Sequence, residues 1–369
     1  MKNILMMKIP SSIRYSLIKR IVYNLLKASE ITSLPVDIEK INSHIKKNIK
    51  CRLIPYSMHM KKFNLTITEM IRYADSKDGC TDYSVKKDSY LIYYNDININ
   101  ESNRIRWTIA HELGHVMLGH HKLSDKTRIF RSKLSDKEYG ILESEANYFA
   151  SSLFAPPIIL NALEVKSASD IQSYCQLSNE ASINRFNSYK KWKANQFFSA
   201  EDIKVIALFF NFIHSRMCTK CNYTFIADSN TNFCPICGNN KLIRGDGKMK
   251  YKEGVPLYDD GHAKICPRCD NEDVSGSEAY CKICGAYLIQ ECSGKTAFDV
   301  DNEEYVVEPG CNVKLTSNAR YCTVCGRTST FYKYDYLKSW SEEKNEIENE
   351  QQQSDFESTT LINDDSIPF

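Results

Sequence analysis

No stretch of this 369-residue chain is apolar for long enough to cross a bilayer as a helix. The longest late run, Val205 to Ile213, is interrupted by Asn211. Residues 1–30 alternate apolar and basic side chains at helical spacing (Ile13, Leu17, Ile21, Leu25 and Leu26). They lack both an unbroken apolar core and a small-residue cleavage site, so no secretory leader is expected. An excess of either charge is also missing. Lys and Arg number 48 against 46 Asp and Glu, a net charge of +2, which gives no global pull toward nucleic acid. These absences point to a cytoplasmic protein with no membrane partner. In a reducing compartment its fifteen cysteines are metal ligands or free thiols rather than disulfides. The length allows two or three units, and the first half alone can bury a core.

Histidine is scarce, at eight residues, yet two of them stand four apart in His111-Glu112-Leu113-Gly114-His115. On a helix that spacing projects both imidazoles from one face, with Glu112 beside them. This is the HExxH arrangement of zinc hydrolases. Ser102 and Asn103 can cap the helix, Ile105, Ile109, Leu113, Val116 and Met117 suit burial along it, and Gly119 offers a stop. Gly114 leaves room for a close backbone approach beside the ligands. Upstream, Ser89-Tyr90-Leu91-Ile92-Tyr93-Tyr94-Asn95 reads as a strand. It is a candidate sheet edge on which an extended peptide could pair.

A catalytic zinc site needs a third protein ligand. His121 has metzincin-like spacing, although Leu118 stands where that pattern wants glycine. Glu143 lies on a second helix, opened by a Ser135/Glu138 capping box and closed by Pro156 and Pro157. Asn147, four residues on, shares its face and could hydrogen-bond a liganding histidine. On that helix Leu142, Ala146, Phe149, Ala150 and Leu153 form the buried side. Placement favours Glu143, with His121 and then Glu145 left open.

Arg106-Trp107-Thr108-Ile109-Ala110 leading into HELGH, ESEANYFASSLFAP over 143–156, and Leu34-Pro35-Val36-Asp37-Ile38 together resemble the ImmA/IrrE family of metallopeptidases, a gluzincin-like group. The resemblance spans roughly residues 15–195. It implies His111, His115 and Glu143 as zinc ligands and Glu112 as the base. It also implies a regulatory protein as substrate, such as a transcriptional repressor.

Twelve cysteines follow residue 217. Cys218, Cys221, Cys234 and Cys237 form one set with the spacing of a zinc ribbon; Cys266, Cys269, Cys281 and Cys284 form another. Cys322 and Cys325 belong to a third, irregular set, completed by Cys292 and Cys311 if an insertion splits the first knuckle. Each ribbon is small enough that metal binding is its folding energy. Cys51, Cys80 and Cys175 read as ordinary thiols. Lys220, Lys241, Arg244, Lys248 and Lys250, with Tyr223 and Phe225 nearby, could form a phosphate-contacting face or a solvated surface.

The expected fold is α+β: a mainly helical zincin-like peptidase domain with a small sheet, followed by small β-rich zinc ribbons. The expected segments are the peptidase domain at 1–199, a connecting helix at 200–216, ribbons at 217–245, 262–290 and 291–335, and a disordered acidic tail at 336–369. The expected metals are one catalytic and two or three structural zinc ions. The expected function is zinc-dependent endopeptidase, with ribbons recruiting a protein partner or nucleic acid. The alternative is a non-catalytic zinc-ribbon protein binding nucleic acid or protein.

Overall fold

The computed structural model describes residues 9–97, 102–123, 135–195, 198–245, 247–301 and 303–360. It divides into two units between Ile213 and His214. The first unit runs α1 (Tyr15–Ala28), α2 (Ile38–Asn48), β1 (Cys51–Pro55), α3 (Tyr56–Phe63), α4 (Ile67–Ala74), β2 (Gly79–Ser84), β3 (Ser89–Tyr94) and α5 (Ser102–Met117). A single 3-10 turn at His120–Lys122 follows, then α6 (Asp136–Phe154), α7 (Pro157–Ala162), α8 (Ala168–Cys175), α9 (Asn179–Asn195), α10 (Ala200–Leu208) and α11 (Phe210–His214).

The sheet order is β1-β3-β2, with β1 parallel and β2 antiparallel to β3. The tyrosine-rich strand is therefore central, and the expectation that it forms a sheet edge is corrected. β-branched and aromatic residues at alternate positions give it one face for the core and one for the other side of the sheet, so partners on both edges suit it. β1 and β2 are the edges among the described residues.

Local signals explain where the helices start. Ser135 accepts from the Glu138 amide while Glu138 reaches back, closing the capping box that opens α6. Gly119, at φ +69°, ends α5 in the left-handed conformation. A methyl group on Gly114 would stand 3.1 Å from the Ala146 Cα and 3.2 Å from the Phe149 ring, so glycine lets α5 and α6 touch backbone to backbone. The core collects Leu113, Val116, Phe149, Ala150 and Leu153 with the inner face of α1. Val205, Phe209 and Ile213 join the same core, and Lys19 pairs with Asp202 at 2.8 Å. Residues 200–213 thus belong to the first unit, because their apolar side finds its cover there.

The second unit contains β4 (Ser215–Cys218), β5 (Thr224–Ile226), β6 (Leu242–Ile243), β7 (Lys295–Phe298), β8 (Glu304–Glu308), α12 (Thr330–Lys333) and α13 (Trp340–Thr360). Strands are few because the cysteine knuckles carry most of the structure. The expected disordered tail is corrected over 340–360, where the chain is helical. Ser339 and Glu342 form a capping box, Glu343 pairs with the buried Arg320, and Ile347 packs into the cluster around Cys218 and Cys221. These three contacts supply the burial that composition alone does not suggest. Residues 361–369 lie outside the described residues.

Candidate metal centre

His111 and His115 lie one turn apart on α5, and their Nε2 atoms are 3.1 Å from each other. Glu143 faces them from α6, its carboxylate oxygens 3.2 Å from His111 Nε2 and 3.5 Å from His115 Nε2. The three form a single cluster of potential metal ligands. The flanking hydrogen bonds say which ring nitrogens carry protons. His111 Nδ1 lies 3.1 Å from Asn147 Oδ1, which can only accept, so Nδ1 donates and Nε2 presents its lone pair.

The protons on His115 are set by a longer chain. Arg14 donates to the buried Glu145 carboxylate from its Nε, its Nη2 and its backbone amide, at 2.7–2.8 Å. Burial pushes the Glu145 carboxyl up, but the Arg14 and His120 hydrogen bonds outweigh this and hold it at about 2. A carboxylate only accepts, so His120 Nε2, 2.9 Å away, must donate. Burial keeps His120 neutral, so its Nδ1 accepts from His115 Nδ1 at 2.9 Å. His115 Nε2 is left with a lone pair facing that of His111. Two lone pairs and a carboxylate pressed together call for a cation, and imidazole with carboxylate is a zinc-type donor set. Glu143 and Glu112 reflect the same demand: although burial opposes it, they raise the proton affinity of His111.

The sequence-derived candidates now separate. Glu143 joins the two histidines. Glu145 is corrected as a ligand candidate: two residues from Glu143 on a helix, it points the opposite way and is bound to Arg14 and His120. His121 is corrected likewise. It lies outside the ligand cluster, near Tyr83 and Tyr90, and its own backbone sits in the 3-10 turn beyond Gly119. It lines the cavity, burial depresses its imidazole to about 4, and neither ring nitrogen has a hydrogen-bond partner among the described residues. His120 escaped sequence reasoning. Its signal was a histidine directly after the helix-ending glycine, placed to fold back under His115.

Glu112 lines the same cavity, of about 450 Å³. The Thr81 hydroxyl of β2 donates to Glu112 Oε2 at 2.8 Å. Burial pushes its carboxyl up from the ordinary value, tempered by His111 and by the Thr81 hydrogen bond. Tyr139, one turn before Glu143 on α6, also lines the cavity. A carboxylate of raised proton affinity beside a cation site can take and return a proton.

The second unit brings each of the three cysteine sets together as a separate cluster, including Cys292 and Cys311 with Cys322 and Cys325. The β7–β8 hairpin occupies the chain between Cys292 and Cys311. In the second set, the Cys284 backbone amide holds the Cys281 thiol at about 6 despite opposing burial. Gly238, Gly285 and Gly326 follow the second knuckles at φ +68° to +75°, and each amide returns to the first cysteine of its knuckle. Amides of Lys220 and Ile236 point at the Cys218 and Cys234 sulfurs, at 3.4 Å each. The first and third ribbons pair reciprocally. Amides of Asn232 and Phe233 donate to the Thr323 carbonyl, and those of Arg320 and Tyr321 to the Pro235 carbonyl. Tyr223 and Phe225 stack on each other, and Tyr223 also packs against Tyr251. Cys51 and Cys175 are buried thiols, each pushed up to about 12 by that burial.

No helix among the described residues is long and apolar enough to cross a membrane. No curated protein matches the chain. Residues 68–196 match the model of the IrrE N-terminal-like domain, Peptidase_M78. The match spans the sheet strands β2 and β3, α5 and α6, and leaves Arg14 and the ribbons outside. Over this stretch, which holds the two histidines, Glu112 and Glu143, the chain is similar to the Peptidase_M78 family.

Proposed function

We propose that the first unit is a zinc-dependent endopeptidase. The observation that carries this reading is the convergence of two imidazole lone pairs and the Glu143 carboxylate, with Glu112 beside them and held by Thr81. His111, His115 and Glu143 would hold the ion. Bound there, zinc supplies a Lewis acid and a water acidified to a pKa of about 7. Glu112 takes the proton of the attacking water and delivers it to the leaving amine. Tyr139 shares the face of α6 with Glu143 by its four-residue spacing, and we assign its hydroxyl as the second donor to the developing oxyanion.

The substrate strand belongs on β2. Its outer edge is unpaired among the described residues, and Thr81 ties it directly to Glu112. An extended peptide pairing there would cross the cavity. The substrate class is a regulatory protein, with a transcriptional repressor as the type that the family resemblance suggests. The ribbons, each a compact zinc-ligand set, would recruit that protein. The site keeps a positioned carboxylate of raised proton affinity, for which a purely structural zinc site has no use.

The test is cleavage of a peptide library by the full chain with zinc, after chelation, and by Glu112→Gln. We expect products only from the zinc-loaded wild type. A Glu112→Gln protein that cleaves like wild type would overturn the reading.

A further inference from the structure

The outer face of the sheet, opposite α5, carries a feature that peptide hydrolysis does not use. It is a bowl of about 1440 Å³ lined by six cations, Lys46, Lys47, Lys50, Arg52, Lys62 and Lys87. They come from α2, the α2–β1 connection, β1, α3 and the β2–β3 turn, and all are exposed. None is in an ion pair among the described residues. Asp82 is the lone carboxylate in the lining, and the Tyr73 hydroxyl donates to it at 3.3 Å. A local excess of about five positive charges therefore sits on a chain whose net charge is +2. Such an excess is a demand for a polyanion.

The floor indicates which polyanion. Arg52, Leu91 and Asp82 stand in one row across β1, β3 and β2. The backbone of β3, in the middle of the floor, is hydrogen-bonded on both sides, so a peptide lying across the centre of the bowl finds no strand edge to extend. Leu91 is the one aliphatic side chain in the lining, beside the rings of Tyr73, Tyr83 and Tyr90, so aliphatic anchor pockets for a peptide are lacking as well. What remains is charge, hydroxyl donors from Ser43, Ser84 and Ser89, and at the wall the ring of Tyr73, which is 41% exposed and has His59 stacked against it at 4.8 Å. Cations tracking a backbone, with a ring for an unstacked base, are the means of binding a single strand of nucleic acid. A duplex hides its bases and could use only the charges. We propose that this sheet face binds single-stranded nucleic acid, independently of the metal centre.

The experiment is fluorescence polarisation of the full zinc-loaded chain with labelled oligothymidylate and oligouridylate, against polyglutamate as competitor. Binding should weaken with salt by a logarithmic slope of about −0.7 per phosphate neutralised. Lys47→Glu combined with Arg52→Glu should weaken it at least ~10-fold, with zinc content and melting unchanged. Should that variant fold poorly, photo-cross-linking of a bromouridine strand to the wild type decides, with adducts expected near Lys47 and Tyr73. Three results would overturn the proposal: wild-type affinity in the folded variant, adducts confined to the ribbons, or polyglutamate binding the bowl at least as tightly as the oligonucleotides.

Discussion

His115 Nδ1 lies 2.9 Å from His120 Nδ1, and this contact is the first link in a buried chain that ends on Arg14. Donor and acceptor roles along it are dictated from the far end, by the carboxylate of Glu145. The tautomer of a metal-facing imidazole is thereby set by the Glu145 carboxylate, which is held by Arg14, a residue just before α1 that lies outside the family match. Glu145→Gln offers His120 an amide that can donate as well as accept, so the chain loses its polarity. Zinc affinity at the His111/His115/Glu143 site should fall ~10- to 100-fold by chelator competition, with the cysteine sites unaffected. Unchanged affinity would show that the chain has no hold on His115.

Thr81→Val removes the hydroxyl that donates to Glu112. That hydrogen bond lowers the proton affinity of the carboxylate, so its loss raises it further. The acid limb of the pH–rate profile should move to higher pH, and activity below neutrality should drop. A limb that stays in place would separate Glu112 from the ionisation that governs the rate.

His121 is buried and neutral, with its folded value depressed to about 4 from an ordinary 6.5. A base depressed on folding binds more protons when unfolded. Its contribution is therefore complete above pH 6.5 and is lost as pH falls toward 4. Linkage sets the upper limit at about 3 kcal/mol. Urea melts of the wild type should show stability falling over that window, with a shallower fall in His121→Leu. Parallel curves would refute the assignment.

Metal counting separates the sites. The full chain should bind four zinc ions, one per cluster. Glu143→Ala should lose one by atomic absorption and keep the other three; Cys311→Ala should lose the third ribbon's ion and hold the first ribbon's more weakly. A Cys311→Ala protein that still binds four would leave the third cysteine set without a metal role.

Much of the site was legible in the sequence because its geometry is helical and local. His111, His115, Glu143 and Asn147 follow from spacings of four residues, and Gly114 from the need for two helices to meet. The cysteine knuckles are equally local, and even the split third set could be assembled once one insertion was allowed. What was not legible depends on topology or distant partners. The central position of β3 is decided by which strands flank it, not by its own residues. Glu145 and Glu143 are alike as letters, and only Arg14, 131 positions away, makes one of them an inward anchor. The helical course of 340–360 rests on Arg320 and the first ribbon. The basic bowl takes four of its six cations from one run, Lys46 to Arg52, but Lys62 and Lys87 join them only through the fold.

The first and third ribbons also constrain each other through their glycines. A methyl group at Gly326 would stand 2.8 Å from the Phe233 ring, and one at Gly238 would stand 3.0 Å from the Tyr321 ring. Both glycines have positive φ, so Gly326→Ala should strain its own turn and disturb the neighbouring knuckle. Zinc release from Cys218, Cys221, Cys234 and Cys237 should accelerate in that variant when followed with a colorimetric chelator. Release at the wild-type rate would mean that the knuckles are energetically separate.

Since each of these ribbons lends the other a backbone acceptor and an aromatic lid, neither is a self-sufficient bead on a string. Emptying one should loosen its twin, so that a falling zinc supply would be felt as a single threshold where two independent sites would give two gradual losses.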